Sequence, residues 1–228
     1  MQQVAEYTFK RRILAPESMD NLPFVQKISP LVEVDFKPHV HHDLVLITGD
    51  GWCLFDDLAA FNALEIPHDL FCVNRSIRAM TRPANHWAAI DTEESVWLSQ
   101  YLTPELVGIN GLLKHTIGWC PGGFNCWWRV DDKPEDIEFL LWAGSTSYFA
   151  ILAALYMGYR RVVLAGVPMD CKHHWYEPEG TNGPSWKGQV FHTWMDFART
   201  KPARNVRSMS GYTAFMLGKP DKEWMDGR

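Results

Sequence analysis

The sequence predicts an α/β protein built on a Rossmann-like, mainly parallel sheet with helices on both faces. Three observations predict it. Short apolar runs rich in branched residues recur along the chain, helical stretches separate them, and the first run ends in the loop Gly49-Asp50-Gly51. Fully apolar short runs are typical of parallel strands buried on both faces. Their alternation with helices favours a single parallel sheet.

The first half of the chain supplies three predicted strands and two predicted helices. The strands are predicted over the apolar runs 43–48, 69–74 and 86–91. A helix is predicted at 53–64, because leucine and phenylalanine recur there at helical spacing. A second helix is predicted at 93–101, directly after Thr92, whose hydroxyl is a good N-cap.

The second half supplies two more strands and the most apolar helix. The strands are predicted at 124–130 and 161–166. The helix between them begins at Ser145 or Thr146, either of which can cap it, and ends at Gly158. The remainder of 103–133 has no pattern that assigns it to a helix or a strand.

The domain organisation is predicted to be a single domain, 1–228. Residues 1–40 are interpreted as an irregular N-terminal arm, because four prolines interrupt any long helix there. Residues 41–170 form the predicted nucleotide-binding core. Residues 171–228 are interpreted as a loop-rich C-terminal lid or tail with one short helix near 192–199. No linker-like stretch separates these parts.

Composition limits the class of protein. Hydrophobic residues make up 46% of the 228 residues and charged residues 21%, which is enough to bury a core. The net charge of −5 argues against bulk electrostatic binding to nucleic acid. The basic stretch 199–207 is interpreted as a solvated loop, with binding of phosphate or of a nucleic-acid backbone as the alternative. With five cysteines, no Cys-x-x-Cys, no signal-peptide pattern and no apolar run of ~20 residues, we expect a cytoplasmic protein without membrane contact.

Candidate binding residues follow the predicted strands. Ligands of such folds bind at the carboxyl ends of the strands. The first strand ends in Gly49, Asp50 and Gly51, and the second ends in Asn74. Because a carboxylate repels phosphate, Asp50 suits a ribose hydroxyl, a base or a metal instead. The competing interpretation of these residues is a tight strand-to-helix turn and a turn asparagine.

A second candidate loop precedes the apolar helix. It is small and rich in hydroxyls, and it consists of Gly144, Ser145, Thr146 and Ser147. Such a helix entrance suits a phosphate or a carboxylate. Ordinary helix capping, which needs only one of these hydroxyls, is the alternative.

These motifs together resemble a known family. The ordered set is the Gly-x-Gly loop, the closing asparagine, the Gly-Ser-Thr-Ser helix entrance, the turn 157–159 and the Val-Leu-Ala-Gly strand 163–166. The set resembles bacterial sialyltransferases of glycosyltransferase family 42. It also resembles 6-hydroxymethylpterin pyrophosphokinase-like proteins, and similar small proteins are encoded by phages. The resemblance covers roughly 43–170.

The resemblance implies a nucleotide-sugar donor of the CMP or UDP type. It implies that Gly49, Asp50, Gly51 and Asn74 hold the nucleoside. It implies that the helix entrance at 144–147 lies beside the phosphate and the transferred sugar. This chain departs from the family at Asp50, where the family has asparagine, and at 52–53, where Trp-Cys replaces Pro-Ser. The family's Gly-Ile-Asp after the last core strand becomes Gly-Val-Pro, with Asp170 two residues later.

A general base for glycosyl transfer is expected in the segment after Gly166, which leaves a strand at its carboxyl end and can return over the site. Histidine suits proton abstraction near neutral pH. We expect His174 or His192 to be this base, with Asp170 as a further catalytic candidate. The aromatic residues Trp175 and Tyr176 could shelter His174, and Trp194 could shelter His192. Zinc is an alternative ligand for this segment, since it contains Cys171, His173, His174 and His192. No metal site is predicted, because the spacing of these residues matches no standard zinc motif.

Two other functions stay open. An ATP-dependent pyrophosphoryl transferase would need Mg²⁺ and carboxylates such as Asp50, Asp91 and Asp170. A non-catalytic accessory protein would bind a nucleotide or a nucleic acid without chemistry. The expected partner is a nucleotide-containing small molecule, with a nucleic acid left open as acceptor and the oligomeric state undetermined.

Overall fold

A computed structural model gives the architecture of the chain. It describes residues 28–31, 33–90, 102–107, 111–117, 124–130, 145–170, 172–181, 183 and 187–227. The predicted helix at 93–101, Gly144 and Asp91 therefore lie outside the described residues.

The described residues contain one eight-stranded sheet in the order β1-β6-β5-β4-β3-β2-β7-β8. Strands β2 to β8 run parallel, and β1 pairs antiparallel with β6. The strand bounds are β1 Ile28–Pro30, β2 Leu44–Thr48, β3 Asp69–Val73, β4 His86–Ala88, β5 Leu113–Ile117, β6 Cys126–Val130, β7 Arg161–Ala165 and β8 Val206–Ser208.

Six α-helices accompany the sheet within the described residues. They are α1 Leu54–Asn62, α2 Pro104–Val107, α3 Thr146–Tyr156, α4 Lys187–Ala198, α5 Gly211–Leu217 and α6 Lys222–Asp226. Three short 3-10 helices lie at Lys37–His39, Asn74–Ala79 and Pro202–Asn205. No helix in the described ranges is both long and apolar enough to cross a membrane.

The sheet separates two apolar cores. Every residue of β2 is buried, as expected for a strand covered on both faces. Alternate residues of β2 contribute to opposite cores: Val45 and Ile47 pack with α3 and α4, and Leu44 and Leu46 pack with α1 and α6. Helices therefore cover both faces, which confirms the predicted fold class.

Most predicted core elements are confirmed, and the ends of the chain need correction. Strand β1 lies within the arm that was expected to be irregular. The tail was expected to hold one short helix, but it carries α4, α5, α6 and an edge strand, β8. Strand β5 occupies part of the stretch that the sequence left unassigned. The missed strands are short or interrupted by polar residues, so their sequences carry little periodicity.

The direction of strand addition reverses once. From β2 the chain adds β3, β4, β5 and β6 on one side, and it then returns through α3 to β7 and β8 on the other side. The reversal between β2 and β7 is a topological switch point. In open α/β sheets, the crevice outside the carboxyl ends of the strands at this point is where ligands bind.

Candidate functional site

The glycine loop after β2 packs against the loop after β7. The N–H of Gly49 donates to the carbonyl of Ala165 at 2.8 Å, and the N–H of Gly51 donates to the carbonyl of Gly166 at 2.7 Å. A Cβ at Gly49 would lie 2.7 Å from a methyl of Val167, and one at Gly51 would collide with Pro168. Both glycines therefore permit close approach of a protein loop, and their N–H groups already have acceptors.

Asp57 stabilises this pair of loops through hydrogen bonds to its buried carboxylate. It lies in the first turn of α1 and is 6% exposed. Its Oδ2 accepts hydrogen bonds from the Gly166 N–H at 2.8 Å, the Ser210 hydroxyl at 2.7 Å and the Cys53 thiol at 3.3 Å. Burial raises the pKa of Cys53 to about 12, so this thiol is no nucleophile at neutral pH. The negative charge of Asp57 already complements the positive amino end of α1, so this helix end is not expected to attract a bound anion.

Asp50 and Asn74 meet at the carboxyl ends of β2 and β3. The N–H of Arg75 donates to Asp50 Oδ2 at 3.2 Å. Asn74 adopts a left-handed conformation with φ of 50°, which is uncommon outside glycine and is enriched for asparagine. Its Oδ1 is buried and accepts no hydrogen bond from any residue that the structure describes. A strained residue with an unsatisfied buried acceptor is a frequent feature of binding sites.

The segment after β7 returns over the glycine loop. Gly51 and His174 form an isolated antiparallel bridge, and the N–H of Trp175 donates to the carbonyl of Asp50 at 3.0 Å. The sequence predicted that this segment would fold back over the strand ends, and these contacts confirm it. They place His174 directly beside the first loop.

His174 is oriented by a carboxylate. Its Nδ1 lies 3.0 Å from Glu177 Oε2, and its backbone N–H donates to the same oxygen at 2.6 Å. These hydrogen bonds, the backbone one first, hold the pKa of Glu177 below its ordinary value. An ionised carboxylate requires a donor, so Nδ1 carries the proton and the Nε2 lone pair of neutral His174 can accept one. The side chain is 21% exposed, so solvent reaches it.

An aromatic ring stacks on this histidine, and two cations stack on aromatic rings of the same two loops. The imidazole of His174 stacks on Tyr176 with ring centroids 5.2 Å apart, and the guanidinium of Arg75 lies 4.6 Å from the centre of the Tyr176 ring. Lys172 Nζ lies 4.2 Å from the centre of a Trp52 ring. Two positive side chains therefore lie on aromatic rings of the first loop and of the segment that returns over it.

Asp170 is engaged within the protein. Its Oδ2 accepts a hydrogen bond from Trp52 Nε1 at 2.8 Å, and Lys172 Nζ lies 4.0 Å from the same oxygen. The carboxylate therefore ties the indole of the first loop to the returning segment. This contact gives Asp170 a positioning role in the loop pair.

The helix entrance at α3 contacts the same crevice. Ser145 caps the helix, because its hydroxyl accepts a hydrogen bond from the N–H of Tyr148 at 3.3 Å. The described members of the entrance, Ser145, Thr146 and Ser147, are at most 9% exposed. Ser147 Oγ lies 3.3 Å from the position of a Cβ on Gly49. The entrance therefore packs on the first loop, at the edge where the sequence predicted it.

His192 has a different setting from His174. It lies on α4 and is exposed. Trp194, which was expected to shelter it, is fully buried and packs on Tyr148 with ring centroids 5.8 Å apart. Residues two apart on a helix point in nearly opposite directions, so Trp194 points into the core instead of covering His192. Of the two candidate bases, His174 is the one that the structure places beside Asp50.

Metal-binding groups are not clustered among the described residues. Within those ranges, no set of three histidine, cysteine, aspartate or glutamate side chains is placed to hold an ion. Asp50 and Asp170 are both at the carboxyl edge, but each accepts hydrogen bonds from the protein. The described side chains therefore do not form a ready Mg²⁺ site, and Asp91 lies outside them.

Sequence reasoning missed several residues at this edge: Trp52, Asp57, Arg75, Lys172, Glu177 and Ser210. Arg75 and Lys172 directly flank or follow predicted site residues, so their positions were a usable signal. Glu177 follows His174 by three residues, which is the spacing of the first and last residues of a β-turn. Asp57 and Ser210 are 153 residues apart in sequence, and only the fold brings them together.

The fold and the crevice define a Rossmann-like α/β protein with a polar, aromatic-lined site at its switch point. Comparison of the chain with family models, with curated proteins and with solved structures finds no match in any of the three. The resemblance to family 42 glycosyltransferases therefore stays a prediction from the motifs.

Proposed function

We propose that this protein is a nucleotide-dependent transferase that uses a nucleotide-sugar donor at the carboxyl edge of β2, β3 and β7. One observation carries the proposal. The bridge between Gly51 and His174 sets a carboxylate-oriented histidine beside Asp50 at the topological switch point. A base next to a nucleotide-binding position is the arrangement that glycosyl transfer to a hydroxyl requires.

The donor's nucleoside is assigned to the Asp50–Asn74 side of the crevice. A carboxylate accepts ribose hydroxyl protons, and the Asn74 amide can both donate to and accept from a base edge. The donor's phosphates are assigned to the cations Arg75 and Lys172, since α1 already has Asp57 in its first turn. The aromatic faces of Trp52 and Tyr176 suit stacking against a base or a sugar.

The proton acceptor is assigned to His174 Nε2. The Glu177 carboxylate fixes the Nδ1–H tautomer and stabilises the imidazolium that forms when Nε2 takes a proton. The acceptor hydroxyl loses its proton to Nε2 while its oxygen forms the new bond to the anomeric carbon. The bond from that carbon to the phosphate oxygen breaks, and the nucleotide leaves with the bonding electrons.

A thermal-shift panel tests the proposal. The probes are CMP, UDP, GDP, ATP and S-adenosylmethionine, each with and without Mg²⁺. We expect CMP or UDP to raise the Tm in either condition, because a ligand at 100 times its Kd adds about 2.7 kcal/mol. A shift confined to ATP with Mg²⁺ would favour pyrophosphoryl transfer instead. No shift with any probe would contradict nucleotide binding.

Matched variants locate the binding position. Asp50→Ala is expected to weaken the best nucleotide about 10- to 100-fold, the loss typical of a hydrogen bond to a charged group. Asp43→Ala is the control, because Asp43 lies just before β2 at the opposite edge and is 56% exposed. Calorimetric titration measures both Kd values. Equal affinity in the two variants would remove Asp50 from the site.

A further inference from the structure

A chain of buried polar side chains crosses the sheet diagonally, from Trp128 in the middle of β6 to Asp69 at the start of β3. Trp128 on β6 donates its indole N–H to His115 Nδ1 at 3.0 Å. His115 Nε2 on β5 lies 3.1 Å from His86 Nδ1 on β4. All three side chains are fully buried. The nearest atoms of each pair are therefore shielded from water.

The chain continues to a buried carboxylate. His86 Nε2 lies 2.9 Å from the hydroxyl of Tyr159, which donates to Asp69 Oδ2 on β3 at 2.8 Å. The backbone N–H groups of His41 and His42 donate to the same oxygen at 2.7 and 3.2 Å. We call this set from Trp128 to Asp69 the relay. It connects four adjacent strands to the segment that precedes β2.

The proton positions in the relay are determined by its ends. An indole N–H can only donate, so His115 Nδ1 is an acceptor and its proton sits on Nε2. That proton faces His86 Nδ1, which must accept it, and the proton of His86 then sits on Nε2. It points to the Tyr159 oxygen, and the hydroxyl points to the Asp69 carboxylate. Trp128, His115, His86 and Tyr159 each donate once in the same direction, and the Asp69 carboxylate accepts the last of these hydrogen bonds. Both imidazoles are neutral.

The relay does not conduct protons, because Trp128 neither releases nor takes one at neutral pH. A second proton on His115 would sit on Nδ1 and face the indole N–H. A second proton on His86 would sit on Nδ1 and face the His115 N–H. Either event sets two donors against each other in a site without water.

We propose that the relay is an acid-sensitive lock: neutral His86 and His115 hold β3, β4, β5, β6 and the segment before β2 together, and protonation of either imidazole separates these elements. The loops after β2 and β7, where the candidate site lies, contribute no group to the relay. The lock is therefore independent of the proposed function.

The surroundings oppose protonation. Among the described residues, four titratable groups face the two imidazoles: His39 and His41 before β2, Asp69 on β3 and Tyr159 before β7. A fifth, Tyr156 on α3, contacts Trp128 at the other end of the relay. Burial, before any charge effect, lowers the pKa of His115 to about 3 and that of His86 well below its ordinary value. The single carboxylate is separated from both imidazoles by the Tyr159 hydroxyl.

The sign of the pH effect follows. Unfolded histidine takes up a proton near pH 6.5, whereas the buried imidazoles stay neutral until much lower pH. The unfolded state therefore binds more protons as the pH falls below 6.5, and the folded state loses stability. Each histidine is expected to raise the unfolding equilibrium constant about 25-fold between pH 7 and pH 5.

Proton uptake on unfolding measures this directly. Urea unfolding of the full chain between pH 7 and pH 5 gives the number of protons taken up. We expect His115→Gln to lower that number by about one at pH 5 relative to the unaltered chain. His42→Gln is the matched control, because His42 contacts Asp69 only through its backbone and its side chain is exposed. The lock is wrong if both variants match the unaltered chain.

A measurement on the unaltered chain guards against a variant that fails to fold. Nitrogen-15 spectra of the imidazoles report the tautomer and the titration of each ring. We expect His86 and His115 to carry their protons on Nε2 and to show no titration from pH 7.5 to the onset of acid unfolding. A proton on Nδ1 of either ring, or titration between pH 6 and pH 7, would overturn the proposal.

Discussion

Three contacts fix the position of His174 at the carboxyl edge of the sheet. Glu177 fixes the tautomer of His174, Tyr176 covers one face of its ring, and the bridge to Gly51 sets its position along the loop. The Glu177 contact depends on the turn in which the N–H of Glu177 donates to the carbonyl of His174 at 3.0 Å. The side chain is therefore preorganised for proton transfer before any ligand arrives, which is what efficient general bases require.

Removing the imidazole is expected to separate catalysis from binding. His174→Ala should lower the rate of nucleotide release from the nucleotide-sugar about 10²- to 10⁴-fold, the usual contribution of a general base. The Kd for the free nucleotide should change little, because the base acts on the acceptor. Steady-state kinetics and calorimetry measure the two quantities.

His42→Ala, an exposed histidine at the amino edge, is the control and should keep the full rate. Full activity in His174→Ala would remove this residue from catalysis. A loss of nucleotide affinity equal to the loss of rate would make His174 a binding residue.

At the level of elements, the sequence predicted the buried strands and helices well and missed the short strand at the edge of the sheet. β2, β7 and α3 are apolar runs bounded by glycines or hydroxyls, so the local sequence is enough to predict each element. β8 has three residues and one valine, and its place at the edge depends on pairing with β7. The candidate site divides in the same way. The strand ends predicted Asp50 and Asn74, whereas the pair Asp57 and Ser210 comes together only in the fold, because 153 residues separate them in sequence.

The cap of α3 provides a test at this level. Ser145→Ala removes the hydroxyl that accepts the Tyr148 N–H and should lower the free energy of unfolding by about 1 kcal/mol. Ser147→Ala, two residues further on, leaves the cap intact and should cost less. Urea unfolding of both variants measures the difference. Equal losses would mean that capping does not distinguish the two serines.

Across the whole molecule, the two edges of the sheet have different chemistry. The relay runs from Trp128, within the sheet, to Asp69 at the amino end of β3, and its groups satisfy one another away from water. The carboxyl edge carries partly exposed side chains and the buried, unsatisfied Asn74 Oδ1. A saturated network stabilises a fold, whereas an unsatisfied polar group at a switch point favours a ligand. His68 Nε2 and Arg161 Nε at the amino edge are also buried without a partner among the described residues. The expectation of ligand binding at the carboxyl edge therefore depends on the switch point.

Hydrogen exchange with and without the best nucleotide tests this division most directly. Amides in 48–53, 73–77 and 172–177 are expected to exchange more slowly when the nucleotide is bound, because these three segments form the crevice. Amides in 39–43 and 85–88 at the amino edge are expected to exchange at unchanged rates. Protection confined to the amino edge, or to segments away from both edges, would contradict a nucleotide site at the switch point between β2 and β7.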